Sequence, residues 1–363
     1  VTAAPTIAEL IASFDAIAPL AKAGAGDPVG LQLGDPVATV SRVAVCHEAS
    51  EGVVARLEHD PVDLLVAYHP LLFHPTTRLV AGRSAAGRAF RLVRAGVALG
   101  VVHTAFDVAP GGAADALADA LGLVDMVAAG PHWTGDTVKV VTFVPADSVD
   151  SVAAAMSSAG AGVIGNYSAC SFRSDGVGSF FAGEGTAPAT GRRGTLNAEA
   201  ETRLEMIAEA TAVAPVVAAL VAAHPYDEPA YDVYAVRSNA GFIGRSGRLT
   251  DTQSLADLAV QVGDVLGAEC RVAGDRHRPV RTVAVIPGSG SSFLDDLGPV
   301  DVVVTGDVGH HRARQTVERG VAVIDPGHAA TERPGVARLY AAISRLVATT
   351  VDLTGVDADP WRE

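Results

Sequence analysis

The sequence predicts an α/β protein in two parts: an outer, mostly parallel, helix-covered sheet built from both chain ends, and an α+β domain inserted between them. Three observations carry this. Short, unbroken apolar runs alternate with helix-like runs in the first third, and the same alternation returns in the last third. The middle third changes character, with a glycine-rich stretch between its strand-like segments. Strands buried on both faces read as continuous apolar runs, the mark of a parallel sheet lying between helices.

The elements follow in order. Thr6 and Glu9 have capping-box spacing after Pro5, and Ile7, Leu10, Ile11, Phe14 and Ile17 recur at the helical period, so a helix is expected first. Strands are expected over 43–46, 64–68 and 97–102, with helices over 50–58, 84–95 and 112–121. In the middle third, 139–144, 199–207 and 231–236 read as strands and 149–159 and 214–223 as helices. Taken with the glycine-rich stretch between the first helix and 199–207, these segments are read as a β-α-β-β-α-β order that resembles a ferredoxin-like unit. In the last third, 282–286, 300–304 and 321–324 are strand-like, with a helix over 310–319. The resulting division is 1–134 with 241–363 for a discontinuous outer domain and 135–240 for the insert, since surface loops tolerate inserted domains.

The chain has 363 residues and a formal charge of −14, a size suited to two or three domains. With 49% hydrophobic and 19% charged residues, a sizeable core is available and disorder is excluded. The acidic balance argues against nucleic acid or anionic lipid as partner. Cys46, Cys170 and Cys270 stand far apart, which excludes a disulfide scaffold or zinc ribbon and suits a reducing, cytoplasmic setting. No apolar run approaches a membrane span, and the first twenty residues lack the basic start of a signal peptide.

Polar residues gather where strands end: Tyr68-His69, His103 with Asp107, Thr305-Gly306-Asp307, and His328 with Glu332. Ligands of open α/β sheets bind outside the carboxyl ends of strands, so these points suggest one shared site. His103 and Asp107 are four apart, as are His328 and Glu332, which on a helical turn puts each pair on one face. Imidazole with carboxylate and no thiolate suits Zn, Mn, Fe or Ni, and such a set can bridge two divalent ions. Each residue also has a plainer reading. His69 before Pro70 can satisfy a turn carbonyl, Asp107 can cap a helix, and Glu332 can answer a helix dipole. His47, His59, His74, His310 and His311 read as surface or supporting residues, and the 288–292 Gly/Ser loop as a strand-to-helix turn.

Several segments match one known family. Gly26-Asp27-Pro28-Val29-Gly30-Leu31-Gln32-Leu33-Gly34-Asp35 resembles its opening box. Ala67-Tyr68-His69-Pro70-Leu71-Leu72-Phe73 resembles its HHPLxF box, and His103-Thr104-Ala105-Phe106-Asp107 its HTxxD box. Thr305-Gly306-Asp307 with His311 resembles TGDxxxH, and Gly327-His328-Ala329-Ala330-Thr331-Glu332 resembles GHxxTE. In the middle, Ile164-Gly165-Asn166-Tyr167 and His224-Pro225-Tyr226-Asp227-Glu228-Pro229 resemble the insert of longer members. The family is the Nif-three-like dinuclear metal-centre proteins, also labelled "GTP cyclohydrolase one type two". The resemblance spans roughly residues 6–345.

The resemblance implies a three-layer α/β/α metal-binding domain, an insert similar to small trimeric signalling-type domains, and a ring-shaped homohexamer. It implies two divalent ions per subunit (Zn, Fe, Mn, Co or Ni), held by His69, Asp107, His328 and Glu332, with His103 at or beside them. The activity expected is dinuclear metal-dependent hydrolysis of a small phosphorylated or nucleotide-like substrate, with His103 or His311 relaying a proton. The alternative is a non-catalytic hexameric scaffold, chaperone or regulator that binds metal and a small effector. Two positions depart from the pattern. Tyr68 replaces the first histidine of HHP, and a phenol of pKa ~10 is a poorer ligand than imidazole. Gly26 replaces the aromatic of the opening box.

Overall fold

A computed structural model describes residues 4–356 and 359–361, apart from the side chains of residues 134–136 and 237–240. The expected domain boundaries at 134/135 and 240/241 fall on those side chains. The chain divides into two units, Val1–Trp133 with Asn239–Glu363, and Thr134–Ser238.

The first unit opens on α1 (Ile7–Ser13). Thr6 and Glu9 close the capping box that their spacing predicts, each side chain bonding the other's backbone. β1 (Gly30–Leu33) and β2 (Val43–Cys46) follow, then α2 (Glu51–His59), β3 (Leu64–Ala67), α3 (Ala85–Arg94), β4 (Ala98–Val101), α4 (His103–Val108) and α5 (Ala113–Ala120). Here the order is β1-β4-β3-β2-β13, where β13 is Thr350–Asp352. β4, β3, β2 and β13 are parallel, and β1 is the antiparallel edge.

The long strands β5 (Val124–Val144) and β8 (Tyr231–Ser254) contribute residues to both units. Between them lie α6 (Val149–Ser158), β6 (Phe172–Phe181), β7 (Leu196–Glu209) and α7 (Val213–Ala223). The first unit resumes with α8 (Leu255–Leu266), β9 (Arg271–Ala273), β10 (Pro279–Ser289), β11 (Val302–Gly306), α9 (His310–Glu318), β12 (Ala322–Asp325) and α10 (His328–Leu346). Its second sheet runs β8-β10-β11-β12-β9. β10, β11 and β12 are parallel, and β8 and β9 flank them antiparallel.

Both sheets of this unit are covered on both faces, which explains their unbroken apolar strands. Val43, Val45, Leu64 and Val66 pack with Val336, Leu339 and Ile343 of α10. Ala44, Cys46, Leu65 and Ala67 face Val53 and Leu57 of α2 and Leu92 of α3. In the second sheet Val283, Val285, Val302 and Val304 meet Leu117 of α5 and Leu258 and Val262 of α8. Ala284, Ile286 and Val303 meet Leu294, Leu297 and Val308 on the other side. α10 touches β2, β10 and β11, so it lies between the sheets.

The two sheets are built from one repeated plan. Leu33-Gly34-Asp35 leads to Val40 and Val43-Ala44-Val45, and at one constant offset Ala273-Gly274-Asp275 leads to Val280 and Val283-Ala284-Val285. Gly34 (φ 117°) and Gly274 (φ 126°) share a backbone conformation that suits glycine, and each lies against an alanine that starts a parallel strand, Ala98 and Ala322. Ile7 and Ala8 donate to the carbonyls of Ala38 and Pro36. Leu255 and Ala256 donate to those of Arg278 and Arg276. Asp63 accepts from the amides of Ser41 and Arg42 at 2.7 and 2.9 Å. Asp301 accepts from those of Arg281 and Thr282 at 2.9 and 2.8 Å.

The second unit runs β-α-β-β-α-β with strand order β6-β7-β5-β8. Val140, Val144, Leu204 and Met206 bury one sheet face against Val152 and Met156 of α6 and Val216 and Leu220 of α7. Its edge strand β6 is exposed along its length and lies in the glycine-rich stretch, where sequence patterning offered no strand signal. The three- and four-residue strands β1, β9 and β13 escaped prediction because they are short, half-buried and polar in part. The 288–292 loop leads from β10 into a single 3-10 turn, Ser291–Phe293.

Candidate metal centre

The carboxyl ends of the parallel strands deliver the site. His47 follows β2, Tyr68 and His69 follow β3, and His103 follows β4. The amide of His69 donates to the carbonyl of His47, and that of His103 to the carbonyl of Tyr68, both at 2.9 Å, so the ladder extends past the strands and sets their spacing. From the second sheet come Asp307 after β11 and His328 at the start of α10, with Glu332 one turn further on. His103 (φ 31°) and Asp307 (φ 56°) are non-glycine residues at positive φ, a strained state typical of functional sites.

Glu332, 3% exposed, is the hub. Its Oε2 lies 2.7 Å from His47 Nε2 and 3.0 Å from His69 Nε2, and its Oε1 lies 3.0 Å from His328 Nε2. Burial opposes its ionisation, yet hydrogen bonds from His328, His47 and His69 hold its carboxyl well below the ordinary range. His328 is held from behind, with Nδ1 2.7 Å from Asp307 Oδ2. Burial works against its charge, but Glu332 and Asp307 raise its pKa to about 9. His103 is held in the same way, with Nδ1 2.7 Å from Asp27 Oδ1, while Thr104 bonds the other oxygen of Asp27. The His69 ring lies 5.0 Å from that of His103 and 5.4 Å from that of His328.

Asp107 is buried, and its carboxylate accepts a hydrogen bond from the Tyr68 hydroxyl. Burial pushes the Asp107 carboxyl up to about 7. Burial, with the charges of Asp107 and Glu332, lifts the Tyr68 phenol well above its usual value, so it stays a neutral donor. Asp107 lies inside α4, and so does not cap a helix.

These residues fit a divalent cation. His47, His69 and Glu332 each offer a ligand atom, all within 4.8 Å of one another. Atoms bound to one ion at ~2.0–2.1 Å stand roughly 3 Å apart, as His47 Nε2 and His69 Nε2 each do from Glu332 Oε2. A carboxylate behind an imidazole, as Asp307 behind His328, fixes the tautomer and aims the free nitrogen. A glycine leaves room beside the ligands: a Cβ on Gly288 (φ 63°) would collide with the Glu332 carboxylate and crowd His328 Nε2 at 3.3 Å.

The structure therefore gathers His69, His103, Asp107, His328 and Glu332 into one region. It adds His47, which reads as a supporting residue in the sequence, and Asp27, which the sequence reading passes over. The signal for His47 was its place just after β2, matching that of His69 after β3. His311 lies exposed on α9, in ring contact with His310.

A family model described as Duf34/NIF3 (NGG1p interacting factor 3) matches residues 5–360. A Bacillus subtilis protein named GTP cyclohydrolase 1 type 2 homolog is 34% identical over 337 residues, covering 91% of this chain and 90% of its own. A Mycobacterium tuberculosis protein of the same name is 39% identical, covering 90% and 88%. The crystal structure of a Bacillus cereus protein related to NIF3 superposes with a TM-score of 0.64 at 32% identity, covering 99% of each chain.

Proposed function

The chain belongs to the Duf34/NIF3 family, and from that premise we propose that it is a dinuclear metal-dependent hydrolase of small phosphorylated or nucleotide-like substrates. The observation that carries this reading is the convergence of three imidazole Nε2 atoms on the buried carboxylate of Glu332. His47, His69 and Glu332 would hold one ion, and His328, Asp107 and His103 would be the residues to hold a second. Bound ions would supply Lewis acidity toward a phosphoryl oxygen and a water of lowered pKa at neutral pH.

The chain's own groups do the rest. Asp27 and Asp307 orient His103 and His328. The Tyr68 hydroxyl answers the buried Asp107 carboxylate, so Tyr68 supports the ligand position instead of supplying a ligand. His103, held through Nδ1, has Nε2 to exchange a proton with substrate. Under the same reading the second unit is a ferredoxin-like insert of the trimeric signalling type, and the chains assemble as a hexamer.

Elemental analysis after loading with Mn, Fe, Co, Ni or Zn, together with turnover of a panel of phosphomonoesters and nucleotides, tests the proposal. Wild type is expected to retain ions and release phosphate or formate. Glu332→Gln is expected to lose at least one ion equivalent and all turnover while remaining folded. Metal retention without turnover on a broad panel would favour the scaffold reading, and full occupancy in Glu332→Gln would overturn the ligand assignment.

A further inference from the structure

We propose that Arg88 of α3 is the anion-recognition residue of the metal-centre cavity, binding a phosphoryl-type oxyanion of the substrate. The inference deepens the hydrolase reading and rests on it for the identity of the cavity as the reaction site.

A cavity of about 320 Å3 opens beside the cluster, lined by His69, His103, His328, Phe73, Glu48 and Arg88 among others. That volume lies at the small end for ligand sites and suits a phosphate with a modest organic group. The Nε of Arg88 is buried and has no hydrogen-bond partner among the described residues. Its neighbours on the same helix are satisfied. Arg91 pairs with Glu51 and Glu58, and Arg94 with Glu58. No carboxylate among the described residues lies within ion-pair distance of Arg88, in a chain whose formal charge is −14.

A guanidinium carries five N–H donors and cannot shed its charge, so burying part of it unpaired is costly unless something arrives to pair with it. The cavity that Arg88 lines leads to the candidate ligands His69 and His328. An oxyanion there meets the guanidinium fork on one side and the metal-holding groups on the other. The fork matches the oxygen spacing of phosphate, and a bidentate pair of charge-assisted bonds follows. Glu48 and Phe73 line the same cavity.

The test is calorimetric titration of the full chain with inorganic phosphate, on wild type, Arg88→Ala and Arg88→Lys, metal-loaded and after chelation, with metal content measured on each. Arg88→Ala is expected to bind phosphate at least tenfold more weakly than wild type in both states, with Arg88→Lys between them and metal content equal in all three. A melting curve and circular dichroism confirm that the variants are folded, and Arg88→Lys keeps the comparison open should the alanine variant fail to fold. Equal phosphate affinity in all three proteins, or no binding in wild type, would overturn the assignment, as would loss of metal from folded Arg88→Ala. If wild type retains no metal and the phosphate difference persists, the hydrolase reading fails and the role of Arg88 stands.

Discussion

Gly288 and Asp107 carry the most testable chemistry at the residue scale. Gly288 holds a left-handed backbone beside Glu332. Gly288→Ala is expected to cost roughly 1–2 kcal/mol from that conformation alone and to displace the carboxylate, so that metal affinity falls more than the melting temperature does. Metal titration set beside thermal unfolding checks this. For Asp107, burial places the folded pKa at about 7, above the roughly 3.9 of an unfolded chain. Between those values the folded state keeps a proton that the unfolded chain has released. Its contribution to stability is therefore complete below the unfolded value and is lost as pH rises toward 7. In chelated protein, Asp107→Asn should gain on wild type progressively from pH 4 to pH 7.5. Adding a divalent cation at pH 7.5 should reverse the order. Calorimetric melting points across that range measure both effects. Much of this chemistry was readable in the sequence, because His103, Asp107, His328 and Glu332 keep four-residue spacing that a helical turn translates into one face. His47 and Asp27 were missed, because neither has a spaced partner nearby and the place of His47 just after a strand was its one signal: Glu332 and His103 reach them only through the fold.

Elements follow sequence where a local rule governs them. The Thr6–Glu9 box starts α1, and Ser50, Ser84 and Ser254 accept from amides at the starts of α2, α3 and α8. The parallel strands were legible because burial on both faces demands unbroken apolar runs. The edge strands β1, β6 and β9 were not, since an edge needs neither that composition nor that length. The repeated plan offers a paired experiment. Asp63 and Asp301 each tie down two amides where the chain enters a parallel strand, and each also takes a hydroxyl, from Ser41 and Thr282. Asp63→Ala and Asp301→Ala should each cost about 2 kcal/mol, because the amides lose a charged acceptor. Urea unfolding of the two variants should give losses that agree within a factor of two.

On the scale of the whole molecule, large apolar side chains stand exposed in the second unit, among them Val177 at 74%, Phe181 at 64% and Leu196 at 76%. Patches of this kind mark association surfaces. Under the hexamer proposed above, native mass spectrometry is expected to find an assembly of six 36.9 kDa chains, and Leu196→Glu with Phe181→Asp is expected to reduce it to smaller species. The change in character at the middle third is what the expected two-part division rests on; among features inside the first unit, its alternating apolar strands were legible. The repeat within the first unit was not, because the matching residues of its two copies are few and scattered: Gly34 with Gly274, Asp35 with Asp275, Val43 with Val283. That repeat bears on timing. Each copy draws most of its strands from nearby segments, with β13 the exception in the first sheet, but Glu332 meets His47 and His69 only when distant parts of the polypeptide have docked, a late step for contacts so far apart along the chain. Whatever the centre captures thus meets the full set of groups only in the finished molecule, since the first copy alone brings together His47, His69 and His103 without the carboxylate of Glu332.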